Sequence, residues 1–205
     1  MRIHRISIFA LVVITGCATT SQPEPADLTA LEPIAEKGLQ VAGPWTPLED
    51  GITNMVPSDA AVQEGQVRDG TGVSTAVVKG FKAQDIVAQA TVVFDGTGAP
   101  SLVFRASEKD GVITDMYSVA LYGDGVNIWR MRDGQWVLLE AKSMPLQART
   151  PYTLRVTAKD ERILVFVNDE QTSELIDESH VVEGRAGIRA IEGPCKISDL
   201  RVSKH

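Results

Sequence analysis

From Gly72 onward the chain consists of short β-rich runs separated by tight turns, and this pattern constrains the fold more than any other feature. The turn sequences DGTGAP, EKDG, GDG, RDG, KDE and NDE separate the runs VSTAVV, DIVAQATVVF, SLVFRA, ITDMYSVALY, VNIWRM, QWVLLEA, YTLRVTA, RILVFVN, AGIRAI and KISDLRVS. No long segment has helical periodicity. Many strands at this spacing predict an all-β fold, either an antiparallel β-sandwich or a barrel.

The amino terminus has the pattern of a bacterial export signal that ends at a cysteine. Arg2 and Arg5 precede an apolar run, residues 6–14, that is too short to cross a bilayer as a helix. The sequence ITGC at residues 14–17 resembles the bacterial lipobox. This resemblance implies lipidation of Cys17, cleavage before it and acylation of the new amino terminus, which together anchor a protein stably. The alternative is an ordinary secretory signal with a coincidental cysteine.

We therefore expect three parts along the chain. Residues 1–16 form a lipoprotein signal peptide. Residues 17–40, rich in Pro, Thr, Ala and Glu, comprise the acylated cysteine and a flexible tether. Residues 41–205 are long enough for one domain with a sizeable core. The expected location is the bacterial cell envelope, with the protein lipid-anchored at the outer membrane or the periplasmic face.

The charge balance excludes one class of partner. Removal of residues 1–16 takes away two arginines and no acids, so 18 basic residues remain against 27 acidic ones. The mature chain is thus about nine charges negative, which argues against nucleic acid and against a polybasic membrane patch. Contact with the membrane is expected through the lipid anchor alone.

Cysteine usage predicts a domain stabilised by its core. If Cys17 carries lipid, Cys195 has no partner within the chain and no disulfide forms. The surrounding sequence GPCKISDLRV places no histidine beside Cys195. A buried small side chain is therefore expected at this position rather than a nucleophile.

Two turns predict the register of three strands. A two-residue turn at Asp133-Gly134 sets the pairs Met131 with Trp136, Trp129 with Leu138, and Ile128 with Leu139. A turn at Gly123-Asp124 places Val119 opposite Ile128. One face then carries Val119, Leu121, Val126, Ile128, Val137 and Leu139. The other carries Ser118, Ala120, Asn127, Trp129, Met131, Trp136 and Leu138. The aliphatic face is the expected core face.

The order of these elements is similar to a known superfamily. A Phe-Arg strand, a Tyr-bearing strand, a hairpin ending in DGQW, a strand pair ending in VNDE, the strand EGRAGIRA and the final ISDLRV follow in sequence. This order resembles the concanavalin A-like lectin/glucanase superfamily, and within it the laminin G-like and 3-keto-disaccharide hydrolase domains. The resemblance covers most of residues 40–205 and implies a jelly-roll sandwich of two curved sheets.

The mixed face predicts a ligand site. Flat rings suit the apolar faces of sugars, and amides and charges suit their hydroxyls. Trp129 and Trp136 are the expected ring platform, and Tyr122 is the next candidate for a ligand contact. Arg105, which matches the arginine of the superfamily's Phe-Arg strand, is the expected hydroxyl contact. The alternative is that the tether, the segment before Gly72 or a partner covers this face, and that the rings merely pack.

Catalytic chemistry finds little support in the sequence, and no catalytic residue is assigned. The Glu-x-Asp-x-x-Glu strand of laminarinase-like enzymes, which supplies paired carboxyls, does not occur. Gln89 and Thr91 stand where related 3-keto-disaccharide hydrolases carry a carboxylate. His180 matches a loop motif and is expected to be structural. No cofactor is expected, although related domains often bind calcium, for which Asp199 is the candidate ligand.

These observations favour an envelope lipoprotein with a non-catalytic β-sandwich module that binds glycan. Two alternatives remain open at this point. One is a hydrolase or lyase of the 3-keto-disaccharide hydrolase type that acts on modified glycosides. The other is an envelope module that binds another protein.

Overall fold

The computed structural model describes residues 74–180, 182–191 and 194–205, together with the backbone of four short strands nearer the amino terminus. The expected signal peptide, Cys17 and most of the expected tether lie outside the described residues. The four short strands are β1 (Glu32–Pro33), β2 (Leu39–Ala42), β3 (Thr46–Leu48) and β4 (Gly51–Thr53).

Eleven further strands follow in the described part of the chain. They are β5 (Ser74–Val78), β6 (Ile86–Phe94), β7 (Ala99–Lys109), β8 (Val112–Tyr122), β9 (Gly125–Arg132), β10 (Gln135–Ser143), β11 (Tyr152–Lys159), β12 (Arg162–Val167), β13 (Glu170–Ile176), β14 (Arg185–Ile191) and β15 (Cys195–Lys204). A 3-10 turn, Glu178–His180, follows β13. None of the described segments is a helix long and apolar enough to cross a membrane.

The strands form two antiparallel sheets, which confirms the predicted β-sandwich. The eight-stranded sheet has the order β13-β12-β11-β6-β15-β4-β3, with β1 also paired to β15. The seven-stranded sheet has the order β10-β9-β8-β7-β14-β5-β2. Strands β10 and β13 are therefore edge strands of the two sheets.

The core lies between the two sheets and is built from alternate residues of each strand. In β6, β11 and β12 the inward residues are mostly aliphatic and largely buried, while the outward ones are more polar. The largest fully buried apolar side chains of this core are Ile86, Phe94, Leu102, Phe104, Tyr117, Leu121, Ile128, Leu154 and Ile163. Burial of these inner faces is the main stabilising contribution to the fold.

Cys195 lies in this core, as the sequence predicts. Its side chain is buried and makes no disulfide. Burial raises the pKa of its thiol to about 12. The thiolate needed for nucleophilic chemistry is therefore strongly disfavoured.

Both predicted turns are present, and most of the predicted register is confirmed. Asp133 and Gly134 have φ values of 48° and 75°, as a two-residue hairpin turn requires. Met131 pairs with Trp136, Trp129 with Leu138, and Val119 with Ile128.

The predicted register is wrong beyond Leu138, because β10 contains a bulge there. It falls between Leu138 and Glu140 and places Glu140, not Leu139, opposite Ile128. Leu139 still packs against the core. Val137, predicted on the core face, is 48% exposed because it lies on the edge strand.

Gly187 of β14 offers a direct test of how closely the strands approach. A Cβ atom there would lie 2.1 Å from the Ala76 carbonyl oxygen of β5, so the backbone would have to shift. We expect Gly187→Ala to lower the free energy of unfolding by about 1–3 kcal/mol, measured by urea denaturation. Gly123→Ala is the matched control, since its nearest atom is 4.0 Å away. Equal stability of the two variants would contradict this packing.

Candidate binding face

The outer face of the seven-stranded sheet collects the residues that the sequence singled out. We call it the tryptophan face. One row across the strands runs Leu138, Trp129, Ser118, Val103, Gly187 and Val77. A second runs Asn127, Ala120, Ser101, Arg189 and Thr75. A third runs Trp136, Met131 and Met116. The face thus combines aromatic, small polar and cationic side chains.

Trp136 and Arg189 meet above this face. The guanidinium carbon of Arg189 lies 4.3 Å from the ring centroid of Trp136, the geometry of a cation–π contact. Their strands, β14 and β10, are separated by β7, β8 and β9. At about 4.8 Å per strand, the backbones of a flat sheet would lie about 19 Å apart. The two side chains therefore reach toward each other over the intervening strands.

A small apolar cluster lies beneath this contact. It consists of Val103, Ala106, Met116 and Met131, all nearly inaccessible to solvent, and the ring of Trp136 packs against it. Trp136 thus contacts the cluster and also stacks with Arg189. The ring acts as a structural anchor of the face, and Arg189 is a site residue that the sequence reasoning missed.

Three polar atoms on the face are shielded from solvent without a hydrogen-bond partner. They are the Oγ of Ser118 and the indole Nε1 atoms of Trp129 and Trp136. An indole N–H only donates, so two of the three groups require an acceptor. A buried polar group without a partner costs about 1–3 kcal/mol. Both indole N–H groups are therefore buried without an acceptor in this structure.

Tyr122 lies on the same side of the sheet but further along. It follows Ala120 by two residues in β8, so both point outward, and it pairs with Gly125 at the hairpin turn. Its side chain is half-buried. The structure thus brings Trp129 and Trp136 together and places Tyr122 toward the other end of the strands.

Arg105 does not lie on the tryptophan face, contrary to the expected alternation. A bulge in β7 between Phe104 and Ser107 adds one residue, and Arg105 itself has φ 51°. Its side chain is fully buried on the core side, where Nε donates to the Gln84 carbonyl at 2.9 Å and Nη2 donates to the Asp160 carbonyl. Arg105 therefore links the two sheets and makes no contact with the tryptophans.

A polar network lies at the same end of the sandwich, near Arg105. Arg130 forms an ion pair with Asp177 at 2.5 Å, and Tyr117 donates to the same carboxylate at 3.0 Å. Burial acts against the charge of Asp177, but hydrogen bonds from Ser179, Arg130 and Tyr117 outweigh it and lower its pKa. Burial, together with the Asp177 charge, raises the pKa of Tyr117 to about 12. The network connects β8 and β9 of one sheet to the segment after β13 of the other.

His180 belongs to the core side as well. Its ring lies 5.7 Å from the ring of Tyr117 and is buried, and its Nε2 has no partner. Burial lowers the pKa of His180. The charge of Asp115 acts in the opposite direction, and both residues lie on the opposite side of the sheet from the tryptophans.

Asp199 occupies an exposed position in β15. Its carboxylate accepts hydrogen bonds from Nε and Nη2 of Arg201 at 3.0 and 2.9 Å. In the described ranges no three acidic, histidine or cysteine side chains converge as a metal site would require. The calcium role of Asp199 stays a prediction from the resemblance, and the predicted lipidation at Cys17 lies outside the described residues.

Comparison with known proteins identifies the fold. No family model matches the chain, and no curated protein matches its sequence. Among solved structures, the carbohydrate-binding module CBM66 from Bacillus subtilis is 18% identical, with 82% of this chain and 96% of that chain covered and a TM-score of 0.65. A Bacillus subtilis protein of unknown function with a galectin-like fold is 14% identical, with 82% and 90% covered and a TM-score of 0.61. A proposed glycosyl hydrolase from Parabacteroides distasonis is 9% identical, with 82% and 89% covered and a TM-score of 0.58. These likenesses concern the fold alone, and they agree with the predicted antiparallel β-sandwich.

The environment of His180 predicts a specific pH dependence. Because its pKa is lower in the folded state than the unfolded value of about 6.5, the unfolded chain binds the proton first as pH falls. Wild type should therefore lose stability as pH drops below about 6.5, and His180→Gln should lose less over the same interval. Urea unfolding at pH 7.5, 6.5 and 5.5 measures this, with His205→Gln as the control at an exposed histidine. Parallel pH curves for all three proteins would contradict the prediction.

Proposed function

We propose that the domain binds glycan through the tryptophan face, as a non-catalytic module. The observation that carries the proposal is the joint placement of Trp129, Trp136 and Arg189 on one outer face. Aromatic rings stack on the apolar faces of sugars, while polar groups select their hydroxyls. The likeness of the fold to a carbohydrate-binding module supports the same conclusion.

The two tryptophans are packed differently, which indicates a different role for each of them. Trp136 is held between Arg189 and the apolar cluster. Trp129 lies beside Leu138, which is 44% exposed. Trp129 is therefore the proposed ring platform, whereas Trp136 positions Arg189.

The outer face of the eight-stranded sheet can be compared with the tryptophan face as a second possible binding surface. There, Arg155 stacks on Phe166 at 4.2 Å and also pairs with Asp169 at 3.4 Å. A depression of about 320 Å³ nearby is lined by charges of both signs, including Lys159 and Asp160. Its described lining contains no tryptophan, tyrosine or phenylalanine ring, so it lacks the stacking platform that favours the tryptophan face.

A glycan array with matched variants tests the proposal. We expect Trp129→Ala to weaken binding of the wild-type hits roughly ten- to hundredfold, since loss of a large apolar contact costs about 1.5–3 kcal/mol. Trp136→Ala should weaken binding and also lower stability, because the ring covers the apolar cluster. Phe166→Ala, which removes a ring from the opposite outer face, is the control and should bind normally.

The same array separates the alternatives. Wild type that binds no glycan would contradict the proposal and favour the protein-binding alternative. If Trp129→Ala binds the wild-type hits with unchanged affinity, the proposed binding site is wrong. Hydrolysis of a bound oligosaccharide would favour the enzyme alternative, which the likeness to a proposed glycosyl hydrolase brings into consideration.

We propose further that Cys17 carries the lipid anchor and places the domain in the cell envelope. The support is the lipobox-like sequence ITGC at residues 14–17. Wild type expressed in a bacterium should incorporate labelled palmitate and sediment with membranes, while Cys17→Ser should do neither. Cys195→Ala, which changes the buried core cysteine, should still be labelled. Labelling of Cys17→Ser would contradict the anchor.

A further inference from the structure

The edge strand β10 ends in a regular and exposed segment. In the part of the chain that the structure describes, β10 is paired with β9 on one side only. Past the bulge, Glu140, Ala141, Lys142 and Ser143 pair with β9 in unbroken register. Glu140 is half-buried, and the other three residues are exposed. Such an edge is a template to which a further strand can add by backbone hydrogen bonds.

The backbone groups of this segment alternate in direction. The N–H of Met144 donates to the carbonyl of Asp124 at 3.0 Å, on the β9 side of the strand. In an antiparallel ladder every second residue bonds to the same neighbour, so Lys142 also directs its backbone groups toward β9. Ala141 and Ser143 therefore direct their N–H and C=O groups away from the sheet.

The side chains of the same segment carry opposite charges. Glu140 and Lys142 are separated by Ala141, so both point to one side of the strand. Neither forms an ion pair with another described side chain. Charges of one sign on an edge strand repel a second copy of that strand. A pair of opposite charges is instead complementary to itself when the second copy runs antiparallel.

We infer that the edge of β10 is the contact of a homodimer, in which two copies pair antiparallel around a two-fold axis at Ala141. Each Glu140 then lies opposite the Lys142 of the second copy, and the symmetry makes the two ion pairs identical. At the axis, the two Ala141 residues form a hydrogen-bonded pair through the N–H and C=O groups that point away from the sheet.

This pairing has a consequence for the tryptophan face. It joins the seven-stranded sheets of the two copies edge to edge. The axis is perpendicular to the joined sheet, so the outer faces of both copies lie on the same side of it. The dimer therefore presents two tryptophan faces in one direction.

Disulfide trapping on the full chain tests the dimer. Ala141→Cys places two thiols opposite each other with their Cα atoms about 5.5 Å apart, which is within the range of a disulfide. We expect a covalent dimer on a non-reducing gel after treatment with a mild oxidant. Gln135→Cys is the matched control, since it is exposed on the same strand but far from the axis. Absence of the Ala141→Cys dimer, or equal cross-linking of both variants, would overturn the inference.

Exchange of the two charges tests the register. Added to Ala141→Cys, either Glu140→Lys or Lys142→Glu places like charges opposite each other at both contacts and should reduce the cross-linked fraction about tenfold. The combination of Glu140→Lys with Lys142→Glu should restore it. Lys109→Glu reverses an exposed charge on β7 and should have no effect. A combined variant that cross-links no better than the single ones would overturn this dimer.

Discussion

Burial of the two apolar inner faces against each other is the interaction on which the rest of this structure depends. Because side chains alternate along a strand, each inward aliphatic residue determines that its neighbours point outward. Ile128 and Val119 in the core thus direct Trp129 and Ser118 to the outer face. The position of the candidate binding face therefore depends on the core. The face consists of the side chains of the same strands that point away from the core.

Bulges are the places where this alternation is interrupted, and they have structural consequences. The extra residue in β7 directs Arg105 inward, where its guanidinium reaches carbonyls at Gln84 and Asp160. It lies there 5.9 Å from the Tyr117 ring, close to the ion pair of Arg130 with Asp177. One end of the sandwich is therefore held by polar contacts, while its middle is held by apolar packing.

The sequence predicted those features that depend on neighbouring residues. Asp-Gly turns, alternation and the register around Asp133-Gly134 are local, and they were sufficient to bring Trp129 and Trp136 onto one face. Strand β13 was not predicted, because its sequence EQTSELI lies at an edge and lacks clear alternation. The inward position of Arg105 depends on a bulge that no local signal specifies.

Arg189 illustrates a different limit of the sequence. Its outward direction could have been read from AGIRAI, where it stands between the core residues Ile188 and Ala190. Its contact with Trp136, however, depends on the order of five strands and on the shape of the sheet. Such long-range placement is not encoded in the spacing of nearby residues.

The contact between Arg189 and Trp136 has a mechanical consequence. It connects the edge strand β10 to β14 over three intervening strands, so it resists flattening of the seven-stranded sheet. The curvature of the outer face is then maintained partly by two side chains and not by the backbone alone. Homologous domains that differ at these two positions would therefore differ in the curvature of this sheet, even where the other residues of its outer face are the same.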